Sequence, residues 1–180
     1  QPIQINDHVL QIENEYYSLV RPKQVPLAGE TPSQALENRG IAYVELRAVD
    51  VNPYSPIGIN EDTAGFLEVV ALYCLLQDSP ALLSDEQDII EQNQAEVVNR
   101  GRAPNAAIME NGQSYPIEDW CAMHLQRMHP LAKLLNSAYD STLYTDALKT
   151  MMIRVDEVDA TLSALMVGDT REQGSMWHFG

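Results

Sequence analysis

A chain of 180 residues, 45% hydrophobic and 21% charged, is long enough to bury a real core and reads as one domain, or one domain with a subdomain. Its formal charge of −15, with eleven Lys and Arg among twenty-six Asp and Glu, argues against nucleic acid and against anionic membrane surfaces as partners. Small phosphate compounds stay admissible, because divalent cations can bridge carboxylates to phosphate.

No apolar run reaches the ~18 residues that span a bilayer, and the start lacks a signal-peptide pattern. Opening at Gln1 rather than a methionine predicts a chain cut from something longer. The two cysteines, Cys74 and Cys121, sit in apolar helical stretches without metal-type spacing. They are expected as buried free thiols in a reducing cytoplasm, one disulfide being the less common alternative.

In chain order, residues 9–17 alternate with period two. Leu10, Ile12, Asn14 and Tyr16 fall on one face, and Gln11, Glu13, Glu15 and Tyr17 on the other. Arg21-Pro22-Lys23 then leads into a turn-rich connector holding Pro26, Gly29 and Pro32, with a short helical turn expected over 33–37. Gly40 precedes a second strand, 41–49. It sets Ala42, Val44, Leu46 and Ala48 against Ile41, Tyr43, Glu45, Arg47 and Val49. An apolar face and a face charged in its middle predict a sheet packed on one side and open on the other. Asn52 to Gly58 is a loop fixed by Pro53 and Pro56.

Beyond residue 60 the apolar period is helical. Asn60 caps a helix with Phe66, Val69, Val70 and Tyr73 as its stripe, and Ser84-Asp85-Glu86-Gln87 reads as a capping box for the next. Ile117, Cys121, Leu125, Met128, Ala132 and Leu135 mark a third helix, which Pro130 should kink. Tyr144, Leu148, Met151 and Val155 mark a fourth, and Val158, Leu162 and Leu165 a short fifth. The predicted class is α+β: an antiparallel sheet segment over 1–59, a helical region over 60–167 and a loose tail over 168–180.

Glu13-Asn14-Glu15 and Glu45-Leu46-Arg47 are unusual, because a carboxylate in mid-strand must face water or be paired. One reading is simple solvation on an open sheet. The other is a metal and phosphate site: carboxylates suit hard cations, and the planar guanidinium fork suits phosphate. Two apart on a strand, Glu45 and Arg47 project to one side, about 7 Å from each other. His124 and His129 are five apart, which is not a helical metal-pair spacing.

Leu10-Gln11-Ile12-Glu13-Asn14-Glu15-Tyr16-Tyr17 with Arg21-Pro22-Lys23 resembles the proteobacterial type of glutamate–cysteine ligase. So does Gly40-Ile41-Ala42-Tyr43-Val44-Glu45-Leu46-Arg47, continued from Asp50 through Gly58. The resemblance is dense over 9–59 and implies part of a glutamine-synthetase-like sheet followed by a helical bundle. It implies ATP-dependent joining of glutamate to cysteine through γ-glutamyl phosphate, the first step of glutathione biosynthesis, with Mg²⁺ or Mn²⁺.

By the family's Glu-x-Arg motif, Glu45 would be a metal ligand and Arg47 the residue that neutralises the transferred phosphoryl group. Tyr17 would belong to the cysteine pocket. Glu13, Glu15, Arg21 and Lys23 are further site candidates; Arg21 and Lys23 either position phosphate or brace the sheet's acidic groups. Most carboxylates of such a site would come from an N-terminal half absent from this chain, so the chain alone is expected to be inactive. The alternatives are a noncatalytic amino-acid-binding or regulatory module on the same sheet, and a structural helical bundle with merely solvated carboxylates.

Overall fold

The computed structural model describes residues 17–175. The strand expected over 9–17 therefore lies outside the described residues, save Tyr17. The chain divides into two compact units at Val51/Asn52, eight residues before the boundary read from the change of period. The class is mixed α/β, a small antiparallel hairpin with a mainly helical remainder.

In the first unit, β1 (Val20–Lys23) pairs antiparallel with β2 (Tyr43–Leu46), and α1 (Pro32–Arg39) connects them. Arg21-Pro22-Lys23, read as the approach to a connector, is thus itself strand. Pro22 masks the signal because proline cannot donate to a ladder. The Arg47 N–H bond to the Leu19 carbonyl, 2.8 Å, sets the alternation that puts Pro22 at a non-hydrogen-bonded pair with Val44. Its missing donor therefore faces away from β2. Helix α1 extends beyond the expected short turn, because Thr31 and Gln34 form a reciprocal capping box and Pro32 opens the first turn. Arg39 in its last turn grips Glu30 through both guanidinium nitrogens, at 2.9 and 2.6 Å, and also donates to the Val25 carbonyl. The connector is thereby tied to the helix that ends it.

The hairpin's apolar face is exposed among the described residues. Val20, Val44 and Leu46 are 51%, 54% and 43% exposed. The sheet packed on one side that alternation predicts is not completed among the described residues.

The second unit opens with the proline loop, closed by the Asn52 N–H on the Gly58 carbonyl at 2.7 Å. Helix α2 (Glu61–Leu75) follows, with Asn60 Oδ1 accepting from the Thr63 N–H and from its hydroxyl. Helix α3 (Ser84–Arg100) starts one residue earlier than its capping signal suggests, because the Glu86 carboxylate accepts the N–H of Leu83. It packs on a hairpin that period analysis missed, β3 (Ala107–Glu110) and β4 (Gln113–Pro116). Asn111-Gly112, both at positive φ, make its two-residue turn. Asn93 of α3 bonds the N–H and the carbonyl of Met109, occupying the edge of β3.

Helices α4 (Ile117–Tyr139) and α5 (Leu143–Asp156) pack on each other and on α2. Val69, Tyr73, Leu125, Met128, Ala132, Tyr144 and Leu148 form the core, the stripes expected from period 3.6. Helix α4 runs unbroken through Pro130. Gly65 of α2 meets α5 so closely that a Cβ there would lie 3.0 Å from Leu143 Cγ. Both cysteines are free thiols, but Cys74 is exposed rather than buried, since the neighbouring Tyr73 takes the core-facing position.

A short 3₁₀ turn (Val158–Ala160) leads into α6 (Leu162–Gln173). The helix continues through Gly168, where the tail was expected to be loose. Thr161 caps its start, and Asp169 accepts a 2.5 Å hydrogen bond from the Tyr54 hydroxyl. That long-range contact is invisible to local periodicity.

Candidate active site

Cross-strand register builds the polar face of the first hairpin. Residues directly opposite in an antiparallel pair share a face, so Arg21 with Glu45 and Lys23 with Tyr43 stand together. The other face holds Val20, Pro22, Val44 and Leu46. Arg47 follows Glu45 by two and returns to the polar side.

Glu45 is the hub of this face. Arg47 Nη2 donates to its Oε1 at 3.2 Å, and Lys23 Nζ lies 3.5 Å from its Oε2. The carboxyl is held below its ordinary value, first by the Arg47 hydrogen bond; desolvation opposes this, and the charges of Arg47 and Lys23 assist it. Tyr17 joins the cluster from the chain preceding β1, its ring 5.6 Å from the Arg47 guanidinium carbon, within cation–π range. The structure thus brings Tyr17, Lys23, Glu45 and Arg47 together, with Arg21 across from Glu45. Glu13 and Glu15 lie outside the described residues.

A divalent cation finds one suitable atom here. The Glu45 side chain is about one-third exposed, yet Oε2 itself is shielded from solvent and accepts no hydrogen bond despite the nearby ammonium. One carboxylate between cations does not make a cation site alone, and no group of three or more metal-capable side chains occurs among the described residues. The donor set fits a metal only as one ligand of a site completed by other oxygens.

The histidines do not converge on this face. His124 lies against Trp120 with ring centroids 4.2 Å apart and the planes tilted by 53°, and its Nδ1 lies 3.3 Å from the Tyr73 hydroxyl. Burial lowers its pKa. His129 lines a shallow groove between α4 and α5 with Leu125, Thr145, Leu148 and Met152. No helix among the described residues is long and apolar enough to cross a membrane.

Fold and site together define a mixed α/β chain whose small hairpin gathers cations around one carboxylate, against the sign of the whole molecule. The family model for glutamate–cysteine ligase matches residues 1–97. The glutamate–cysteine ligase of Azotobacter vinelandii is 42% identical over 172 residues, covering 96% of this chain and 32% of that protein. That of Pseudomonas putida KT2440 is 41% identical over 170 residues, covering 94% and 32%. Among solved structures, the Francisella tularensis glutamate–cysteine ligase in complex with AMP superposes with a TM-score of 0.84. Its identity is 36%, over 96% of this chain and 34% of that one. A bifunctional glutathione synthetase from Pasteurella multocida, 22% identical with a TM-score of 0.66 over 93% of this chain and 20% of that one, shares the fold. The chain belongs to the glutamate–cysteine ligase family. It spans about a third of the length of the curated relatives it matches.

Proposed function

We propose that this chain is the C-terminal part of a longer ATP-dependent ligase that joins the γ-carboxylate of glutamate to the amine of cysteine. The observation that carries the reading is the Lys23–Glu45–Arg47 cluster, lying inside the segment that matches the family. The AMP bound by the Francisella tularensis relative supports a nucleotide substrate.

In this reading a glutamate γ-carboxylate oxygen attacks the γ-phosphorus of ATP and ADP departs. The cysteine nitrogen then attacks the acyl carbon of γ-glutamyl phosphate, inorganic phosphate leaves, and the amine gives up its proton. Little covalent chemistry falls to the protein in phosphoryl transfer, so fixed positive charge near the moving oxygens is the main device. Arg47 supplies it from the residue that follows β2, where its N–H is held by the Leu19 carbonyl and its side chain is oriented by Glu45. Glu45 would contribute one oxygen to a Mg²⁺ or Mn²⁺ ion, the other ligands coming from the remainder of the protein. That ion, when bound, would screen charge on the phosphate oxygens. Tyr17, exposed and steered by Arg47, contributes to the cysteine pocket.

The isolated chain, with one carboxylate at its site, does not turn over in this reading. The test is ADP release by the full-length protein with glutamate and cysteine supplied together and singly. Release that requires both amino acids and is absent from the 180-residue chain supports the proposal; release indifferent to cysteine sinks it.

A further inference from the structure

Arg21 is the charged residue of the polar face that Glu45 passes over. It stands directly opposite Glu45 in register, where Cβ atoms lie about 4.5–5.5 Å apart. Glu45 nevertheless gives Oε1 to Arg47 and directs Oε2 to Lys23. Among the described residues the Arg21 side chain has no ion pair and no hydrogen bond. It is half-buried on the strand. Among the described residues, three cations facing one carboxylate leave two positive charges in excess on this hairpin face, in a molecule that carries −15. Like charges held at this separation repel unless a further anion arrives.

We infer that Arg21 is an anion-binding residue, gripping oxygens of a polyphosphate, while Lys23 serves to position Glu45. The planar guanidinium fork suits two oxygens of one phosphate, which a lysine at this position would contact only as a point charge. The inference rests on the ligase reading and divides the labour between two residues that the motif leaves equivalent. Lys23 is committed to the carboxylate, and Arg21 has no partner among the described residues.

Sodium pyrophosphate, titrated without metal into the 180-residue chain, tests the assignment through the arginine side-chain Nε–H resonances. The Arg21 resonance moves with saturating pyrophosphate. Arg21→Met weakens binding at least about fivefold, Arg21→Lys weakens it less, and Arg171→Met on α6 changes it by under about twofold. Melting curves of Arg21→Met and the parent chain coincide. Pyrophosphate binding that is absent, or unaffected by Arg21→Met, overturns the inference. So does an equal loss with Arg171→Met, which would report net charge alone. The ligase reading fails by a different result, ADP release by the full-length protein that survives Arg47→Met. Turnover that depends on Arg47, combined with pyrophosphate binding that ignores Arg21, removes only the Arg21 assignment.

Discussion

Arg47, just past the end of β2, and Glu45 within it orient each other: the guanidinium donates to the carboxylate at 3.2 Å, and its carbon lies 5.6 Å from the centroid of the Tyr17 ring. Each side chain is about one-third exposed, and exposed pairs contribute little to folding. The pair is therefore expected to matter to chemistry and not to stability. Arg47→Met and Glu45→Gln in the full-length protein should each lower kcat by about 10²–10³-fold and leave the melting temperature essentially unchanged. A variant that melts early and retains turnover would reverse this assignment.

The clasp between Glu30 and Arg39 has a measurable acid signature. Arg39 hydrogen bonding pulls the Glu30 pKa from 4.5 down to about 2, with the Leu27 N–H assisting. A folded-state pKa below the unfolded one means the contribution is fully present above pH 4.5 and lost as pH falls towards 2. Side-chain carboxyl NMR of Glu30 should titrate near 2 in the parent chain. In Arg39→Met it should move back towards 4.5. A Glu30 resonance that titrates normally in the parent chain contradicts the clasp.

Gly65 and Leu143 should be energetically coupled. In an ordinary helix Gly→Ala gains about 1 kcal/mol, but here the added methyl meets Leu143 Cγ at 3.0 Å. Overpacking of this kind costs about 1–3 kcal/mol, so Gly65→Ala should destabilise the parent chain. In a Leu143→Ala background the same substitution should stabilise. Urea denaturation of the four proteins closes the double-mutant cycle, and additivity would show that α2 and α5 are not locked at this point.

Much of the helical unit is legible in the sequence, because its core stripes are local. Val69 and Tyr73, Leu125, Met128 and Ala132 recur at helical spacing and all reach the core. What escapes local reading depends on distant partners. Helix α6 passes Gly168 with the help of Tyr54, 115 residues away from Asp169. Strand β1 is hidden by Pro22, which is harmless only because of its register with Val44. The β3–β4 hairpin did carry a short-range signal, Asn111-Gly112, between strands too brief to show a period. At the candidate site the motifs are visible one by one. That Glu45 turns to Lys23 and not to Arg21 is not, because that choice is made across the hairpin.

The cysteines should react at very different rates. Cys74 is exposed on α2, whereas burial raises the Cys121 thiol above its ordinary value and so disfavours the reactive thiolate. A disulfide-exchange reagent at neutral pH should label one thiol quickly in the folded chain and the second only on unfolding. Cys74→Ser should abolish the fast phase. Loss of the slow phase instead would exchange the two assignments.

The strip of Val20, Val44 and Leu46, exposed among the described residues, also bears on how the chain behaves in concentrated solution. Copies that approach through such strips are attracted by apolar contact, while their common charge of −15 holds them apart. That repulsion reaches only about 10 Å in 0.1 M salt and shrinks as more is added. Light scattering should therefore show the chain dispersed in dilute buffer and self-associating through the strips as salt is raised.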